Sequence, residues 1–583
     1  MTTSLIDADS LLAIDVGEIN TRAMLFDVVD GRYRFLAMGS AQTTANAPYN
    51  DIWEGIRMAL DRLQTVSGRV LVGEDERLIS PTRTDGAGVD KISATISAGK
   101  PLRVVAVGLL EDVSLDSARR LAATTYSRVV DSIGLNDRRK MEARVSALQR
   151  LRPDLVIVAG GTEGGASQAV HKLLDTVGLA CLLQPESQRP EIMYAGNTMI
   201  VDEVKSALEN IGSIHVSPNV RPTLETEQLD APQVYLSNLF RRLRGRQIPG
   251  VVELDNITGG NLLPTASAMG RVIRFLSQIY DSSKGVLGVD VGASATSVAA
   301  AYSGNLSLRV HPQLGLGEGL VDIFQYFPVE DVNRWLSVEV SNEYVRDYLY
   351  LKSLYPATLP ATVEDLEIEQ ALARQMLRLA IRNMAAESGQ LGMRFNLGMV
   401  VGFEPILALG SVLTQAPLLQ QSLLILLDGL QPLGVTTFVL DQNHITPALG
   451  ATAALNPILA VQVLESGALL NMGTIISPMG TARFGTPILR VNMKYDGGNE
   501  IKLDVKHGSI VVMPLSIGQT AQLHLRPLHR FDVGMGGAGR GGRIRVTGGA
   551  LGVVIDARGR PLRLPAEPAR RRELFKKWQK ALS

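Results

Sequence analysis

The chain has 583 residues and a mass of 62.8 kDa, too long for one ordinary domain; at about 150 residues per domain, roughly four units are expected. Lys plus Arg and Asp plus Glu number 58 each, so the formal charge is zero, which gives no electrostatic ground for a nucleic-acid or anionic-membrane partner. With 45% hydrophobic and 20% charged residues the chain is not largely disordered, and 56 glycines beside 5% aromatics point to tight turns and an aliphatic core.

The N-terminal residues MTTSLIDADS offer neither a basic nor an apolar signal region, so no signal peptide is expected. A buried strand is predicted over Leu12–Gly17, a turn over Glu18–Thr21 and a second strand over Ala23–Phe26. Asp154–Gly161 reads as a buried strand running into Gly-Gly and then a helix from Ser167 to Leu174. The only cysteine, Cys181, lies in the apolar stretch Gly178–Leu183. It is expected to be an inert core thiol, and no internal disulfide or cysteine-based zinc site can form. Residues 11–225 are assigned to a first α/β lobe, and 226–282 to a helical connector broken by Ile257–Pro264.

Leu287–Gly292, a turn over Ala293–Thr296 and Val298–Ala301 open a second lobe, 283–480, with a charge-rich helical insertion at 331–391. Within it, Pro405–Ser411 runs from a strand into a glycine turn, with a helix at Leu418–Leu427. The longest apolar run, Leu397–Leu413, is interrupted by Glu404-Pro405 and is too short to span a bilayer, so a cytoplasmic protein without an integral membrane segment is expected. From about 485 the pattern becomes alternating: Ile488–Tyr495 and Glu500–Val505 flank Asp496–Asn499, a hairpin turn. Residues 485–560 are read as a β-rich module. The basic tail, 561–583, sets Leu574, Phe575, Trp578 and Leu582 on one helical face, which suits docking on its own domain.

The two Asp-Val-Gly hairpins match at an offset of 275: Asp15 with Asp290, Gly17 with Gly292, Thr21 with Thr296. That distance indicates duplication of a whole domain. A second echo pairs Asp154–Gly161 with Pro405–Ser411. The chemistry that suits such hairpins is nucleotide binding. Glycine lets backbone N–H groups approach phosphate oxygens, and an aspartate at the strand end can hold Mg²⁺ through waters.

The paired hairpins are similar to the two phosphate loops of the actin, sugar-kinase and chaperone ATPase superfamily. Within it the order of signals resembles the MutL (GlmL) family, the L protein encoded beside the cobalamin-dependent glutamate mutase. The matching stretches are Leu102–Arg120, Arg152–Gly165, Met193–Asn197, Val216–Val220, Leu262–Thr265 and Leu287–Ala300, within a region of about 11–460. The resemblance implies two RNase-H-like, actin-like ATPase lobes closing on ATP and Mg²⁺. It implies nucleotide contacts at Asp15, Gly17, Thr21, Gly160, Gly161, Asp290, Gly292, Ser294, Thr296, Gly410 and Ser411, with Asp15 and Asp290 holding the metal. It further implies an accessory, chaperone-like role toward a cobalamin-dependent mutase.

Several positions depart from the family pattern. Glu18-Ile19-Asn20 stands where Ser/Thr-rich loops are typical, and Ala293-Ser294-Ala295 where Gly-Ala-Thr is common. Pro81–Gly88 replaces a Gly-Ser-rich stretch, and Gly410-Ser411 a double glycine. No water-positioning base is assigned, so weak ATPase activity is left open. Two alternatives use the same frame: a nucleotide-free scaffold for protein assembly, and a small-molecule kinase or hydrolase. The sequence holds no HExxH pair, GxSxG elbow or Walker A loop; His524 and His529 read as surface residues and Gly534–Gly542 as a flexible loop.

Overall fold

The computed structural model describes residues 9–209, 211–385, 389–396 and 398–582. The N-terminal residues 1–8, residues 386–388 of the helical insertion, Leu397 at the start of the apolar run and Ser583 of the tail lie outside them. Two compact units are present. One comprises 1–42, 56–93 and 268–583; the other comprises 43–55 and 94–267.

The chain opens with β1 (Leu11–Val16), β2 (Asn20–Val29) and β3 (Arg32–Gln42), antiparallel in turn, followed by β4 (Lys91–Ile96). All six residues of β1 are buried, as a central strand requires. The second unit contributes β5 (Leu102–Gly108), β6 (Ser127–Ile133), β7 (Leu155–Ala159), β8 (Glu191–Tyr194) and β9 (Ile214–Val216). These form a wholly parallel sheet in the order β6-β5-β7-β8-β9. Val104–Val107 of β5 and the whole of β7 are buried aliphatic runs, because helices cover both faces of such sheets. Strand β10 (Leu262–Pro264) pairs in parallel with the second half of β4, completing a sheet of order β10-β4-β1-β2-β3, with the unit boundary inside β4.

The second lobe repeats this plan. Strands β11 (Gly285–Val291), β12 (Thr296–Tyr302) and β13 (Asn305–His311) are antiparallel; after a small hairpin, β14 (Phe395–Asn396) and β15 (Met399–Val401), come β16 (Phe403–Leu409) and β17 (Pro432–Leu440). The order β13-β12-β11-β16-β17 mirrors β3-β2-β1-β4-β10, with β16 parallel to both β11 and β17. The fold is therefore α/β, with two RNase-H-like sheets that repeat one strand plan. The helical insertion separates β13 from β14. Its longest helix, Val363–Met384, starts at a capping box in which the Thr362 hydroxyl accepts from the Asp365 amide and the Asp365 carboxylate accepts from the Thr362 amide.

Beyond β17 the sheet continues through β18 (Leu470–Ser477). Then come β19 (Pro487–Tyr495), β20 (Glu500–Lys506), β21 (Ile510–Met513), β22 (Thr520–Pro527), β23 (Gly542–Thr547) and β24 (Val553–Asp556). Four of these form a sheet of their own, β20-β19-β22-β23, but β24 and β21 extend the large sheet in the order β18-β24-β21. The β-rich stretch thus interlocks with the second lobe. The tail helix, Pro568–Leu582, buries Phe575, Trp578 and Leu582 in the same core as Leu287, Val289 and Trp335, with Leu574 partly buried against it.

Buried charges weld this junction. Asp428, on helix Leu419–Leu430, accepts from Arg374 Nε at 2.9 Å and lies 2.8 Å from an Arg558 terminal nitrogen, off the hydrogen-bond axis. Asp556 accepts from Arg558 Nε and a terminal nitrogen, both at 2.9 Å, and from Arg560 at 2.5 Å. Burial alone would raise the Asp556 carboxyl, but Arg558 and Arg560 override it and hold it well below the usual carboxylate range. The Arg558 guanidinium also sits over the Trp578 ring, 4.8 Å from its centroid.

Candidate functional site

Both Asp-Val-Gly hairpins close in the same way. The Gly17 amide donates to the Asn20 carbonyl, and the Gly292 amide to the Ala295 carbonyl, each at 3.0 Å. Asp15 lies opposite Arg22, and Val16 opposite Thr21; Asp290 lies opposite Ser297, and Val291 opposite Thr296. Because strand side chains alternate, Asp15 and Thr21 point to opposite faces, as do Asp290 and Thr296. Both threonines are fully buried, and the Thr296 hydroxyl donates to the Leu314 carbonyl at 2.6 Å. They lie on the face away from the aspartates and belong to the frame that holds the loops. Gly17 and Gly292 keep partial exposure, as does Ser294 at the tip of the second loop.

Five charged or polar-ring groups of one compact unit gather around these loops: Asp15, Arg22, Asp290, Asp441 and His444. Arg22 donates to Asp15 Oδ2 at 3.0 Å, and His444 Nε2 stands 3.6 Å from the same oxygen. Asp441, just past β17, accepts the Ile445 and Thr446 amides at 2.9 and 2.6 Å and so starts helix Ile445–Thr452. His444 precedes that helix with φ +57°, which turns its ring toward Asp15.

Asp290 is the distinctive member. Its Oδ1 is buried and, among the described residues, accepts no hydrogen bond. Burial pushes its carboxyl above the ordinary range, Asp15 and Asp441 push further, and His444 and Arg22 pull back. The chain end of β16 passes close by. Gly410 has φ +91°, and a side chain there would place Cβ 2.2 Å from the Val291 carbonyl oxygen and 2.9 Å from Asp290 Oδ1. Only glycine fits. Ser411 follows on the exposed start of a short helix, Ser411–Thr414. Gly315 performs a similar service on the other side, where a Cβ would meet the Ala293 carbonyl at 2.2 Å.

Gly160 and Gly161 follow β7, in the parallel sheet of the second unit. The echo drawn between Asp154–Gly161 and Pro405–Ser411 does not hold. Strand β16 takes the fourth place in its sheet, and β4 takes that place in the first. The Gly160 loop is tied within its own unit: Gly160 O accepts from the Asn197 amide at 3.0 Å, Gly161 O from Asn219 Nδ2 at 3.1 Å, and Glu163 from Asn219 Nδ2 at 2.7 Å.

Mg²⁺ and a triphosphate fit this arrangement in part. Mg²⁺ is held by one or two carboxylates and several waters, and Asp290 offers an unsatisfied oxygen. Asp15 Oδ2 already accepts from Arg22, so that oxygen is less available to a metal than Asp290 Oδ1. Among the described residues no group of three or more His, Cys, Asp or Glu forms a direct metal cage. Arg22 directly follows Thr21 of the first hairpin, whereas Asp441, His444 and Gly315 carry no signal of their own in the linear sequence. Each reaches the loops through a cross-strand position or a distant element.

Two RNase-H-like halves, each opening on an Asp-Val-Gly hairpin, make this an actin-like ATPase-fold protein. The chain belongs to the MutL protein family, whose model matches residues 11–467. Protein MutL of Clostridium tetanomorphum is 24% identical over 380 residues, covering 60% of this chain and 78% of that protein. Among solved structures, a diol dehydratase-reactivating factor in nucleotide-free form is similar at 10% identity, covering 79% of this chain and 100% of that one, with a TM-score of 0.29. Xylulose kinase from Bifidobacterium adolescentis is similar at 10% identity, covering 80% and 96%, with a TM-score of 0.26. No helix among the described residues is long and apolar enough to cross a membrane.

Proposed function

We propose that the chain is an ATP-binding accessory protein with a chaperone-like role toward a cobalamin-dependent mutase. The observation that carries the nucleotide reading is the buried, unpartnered Asp290 Oδ1 inside a cluster that also contains Asp15. Asp290 would hold Mg²⁺, whose chemistry is to bridge and neutralise phosphate oxygens. The amides of the Gly292–Ser294 loop would meet the phosphates, and Gly410 lets the end of β16 pack against that loop's strand. Arg22 would neutralise Asp15 and shield incoming phosphates from it. The mutase partner rests on membership of the MutL family.

Isothermal titration with Mg-ATP tests the reading. The wild type is expected to bind, and Asp290→Ala to lose most of that heat. Absence of heat in both proteins, each shown folded by circular dichroism, refutes it. One observation favours the scaffold reading instead: the Arg22–Asp15 ion pair and the Thr296–Leu314 bond satisfy two of the expected ligand contacts internally. Partners captured equally with and without Mg-ATP would support that alternative. Recovery of an inactivated mutase on adding the protein with ATP, and not without ATP, would support the chaperone role.

A further inference from the structure

Opposite the aspartate-bearing ends of the second-lobe strands, a groove of about 680 Å³ opens between the large sheet and the four-stranded sheet. Its floor is apolar, with Leu433, Val435 and Met535; one wall is β23, represented by four consecutive residues, Ile544–Thr547. Among the described residues strand β23 pairs with β22 alone, which leaves its other edge open. Among the described residues, no backbone hydrogen bond reaches β23 from the groove side. An open edge with a row of amide and carbonyl groups is a template for another strand.

Size and charge specify the occupant. Strands spaced about 4.8 Å apart, in sheets about 10 Å apart, rise about 3.4 Å per residue, which is about 160 Å³ for each residue. A 680 Å³ groove holds about four, the number of β23 residues that line it. On β23, Ile544 and Val546 turn inward, while Arg543 and Arg545 are exposed on the outer face. Arg545 contacts Asp496 at 3.5 Å, and among the described residues Arg543 has no carboxylate partner. The adjoining strand presents Gln522, His524 and Arg526 on that face and no acid. The groove's own acids lie on the far wall and are already engaged: Asp281 accepts from the Ser283 amide and hydroxyl, Glu404 pairs with Lys284 and accepts from Thr437, and Asp532 accepts the Gly534 amide. A strand laid beside β23 therefore meets arginines with its outward residues and apolar side chains with its inward ones.

We infer that this groove captures an extended segment of a partner protein in which acidic and apolar residues alternate, added as a strand to the edge of β23. A second copy of the chain is disfavoured as occupant. Antiparallel self-pairing about Ile544 would set Arg543 of one copy against Arg545 of the other, a like-charge contact.

The test uses the full chain and fluorescent eight-residue probes. One probe alternates Glu and Val, one alternates Lys and Val, and one has the first composition in two blocks. The alternating acidic probe is expected to bind and to slow amide exchange within 542–547. The double variant Arg543→Glu/Arg545→Glu changes exposed side chains and is expected to bind it about tenfold more weakly, and to bind the alternating Lys probe instead. Equal binding of the block probe, or binding without protection of 542–547, overturns the inference. So does a lack of binding by any probe at millimolar concentration, which leaves the arginines as guards against aggregation only. Concentration-dependent dimerisation that protects 542–547 also overturns it, in favour of a second copy.

Discussion

Replacing Asp428 by alanine removes the carboxylate shared by Arg374 and Arg558. In the wild type the three side chains are almost wholly buried, and the neighbouring Asp556 already serves both Arg558 and Arg560. The variant therefore leaves the buried Arg374 without its carboxylate, and Arg558 and Arg560 with Asp556 alone. Removing one partner of a buried pair costs about 3–5 kcal/mol, because the remaining charge stays desolvated and unpaired. That corresponds to a fall of roughly 150- to 5,000-fold in the folded-to-unfolded ratio of the second lobe. Tryptophan fluorescence during urea unfolding reads it directly: Trp578 stacks on Arg558, and Trp335 lies 5.9 Å from the Arg374 guanidinium. A double-mutant cycle with Arg558→Met should give a coupling well above 1 kcal/mol, since that variant removes the charge left stranded. A loss below about 1 kcal/mol for Asp428→Ala would refute the view that these ions weld the β-rich stretch to the lobe.

Asp290 carries a raised carboxyl, so the native state holds its proton above the pH at which the unfolded chain has lost it; its contribution to stability falls as pH rises from about 4 through the native value. Asp290→Asn should therefore be increasingly more stable than wild type as pH rises in nucleotide-free thermal melts, and a constant difference would contradict the burial of this group. His311, cross-strand from Thr296 and without a hydrogen-bond partner at Nε2 among the described residues, is pushed down to about 4 by burial and by Arg309. Its neutral form favours the fold above about pH 6.5, and that stabilisation, about 3 kcal/mol, is lost as pH falls toward 4. His311→Phe should flatten this acid limb of the stability profile. Cys181 is buried and its thiol is pushed up to about 11, chiefly by burial, so it should resist Ellman's reagent until the second unit is unfolded in denaturant.

The paired loops were legible because Asp, Gly and Thr recur at fixed spacing within apolar runs, and the hairpin bonds at Gly17 and Gly292 repeat that spacing atom for atom. The hairpin at Asp496–Asn499 and the apolar face of the tail were legible for a similar reason: turn chemistry and helical period are local. The echo between Asp154–Gly161 and Pro405–Ser411 was misread because a strand running into a glycine turn and a helix is common to any parallel α/β unit. The true fourth strand, Lys91–Ile96, ends in no such glycine pair. Asp441 and His444 reach the site only through tertiary structure, and no linear spacing marks them.

The interleaving of β24 with the large sheet has a consequence during synthesis. Strand β18 emerges from the ribosome with one side bare, and the strand that covers it begins about 75 residues later. At about 5–20 residues per second the interval is roughly 4–15 s. For that time a ribbon of aliphatic side chains and unpaired peptide groups stands open to other nascent polypeptides. The second lobe thus matures late, and truncations upstream of Val553 should precipitate in cells where the complete protein stays dissolved.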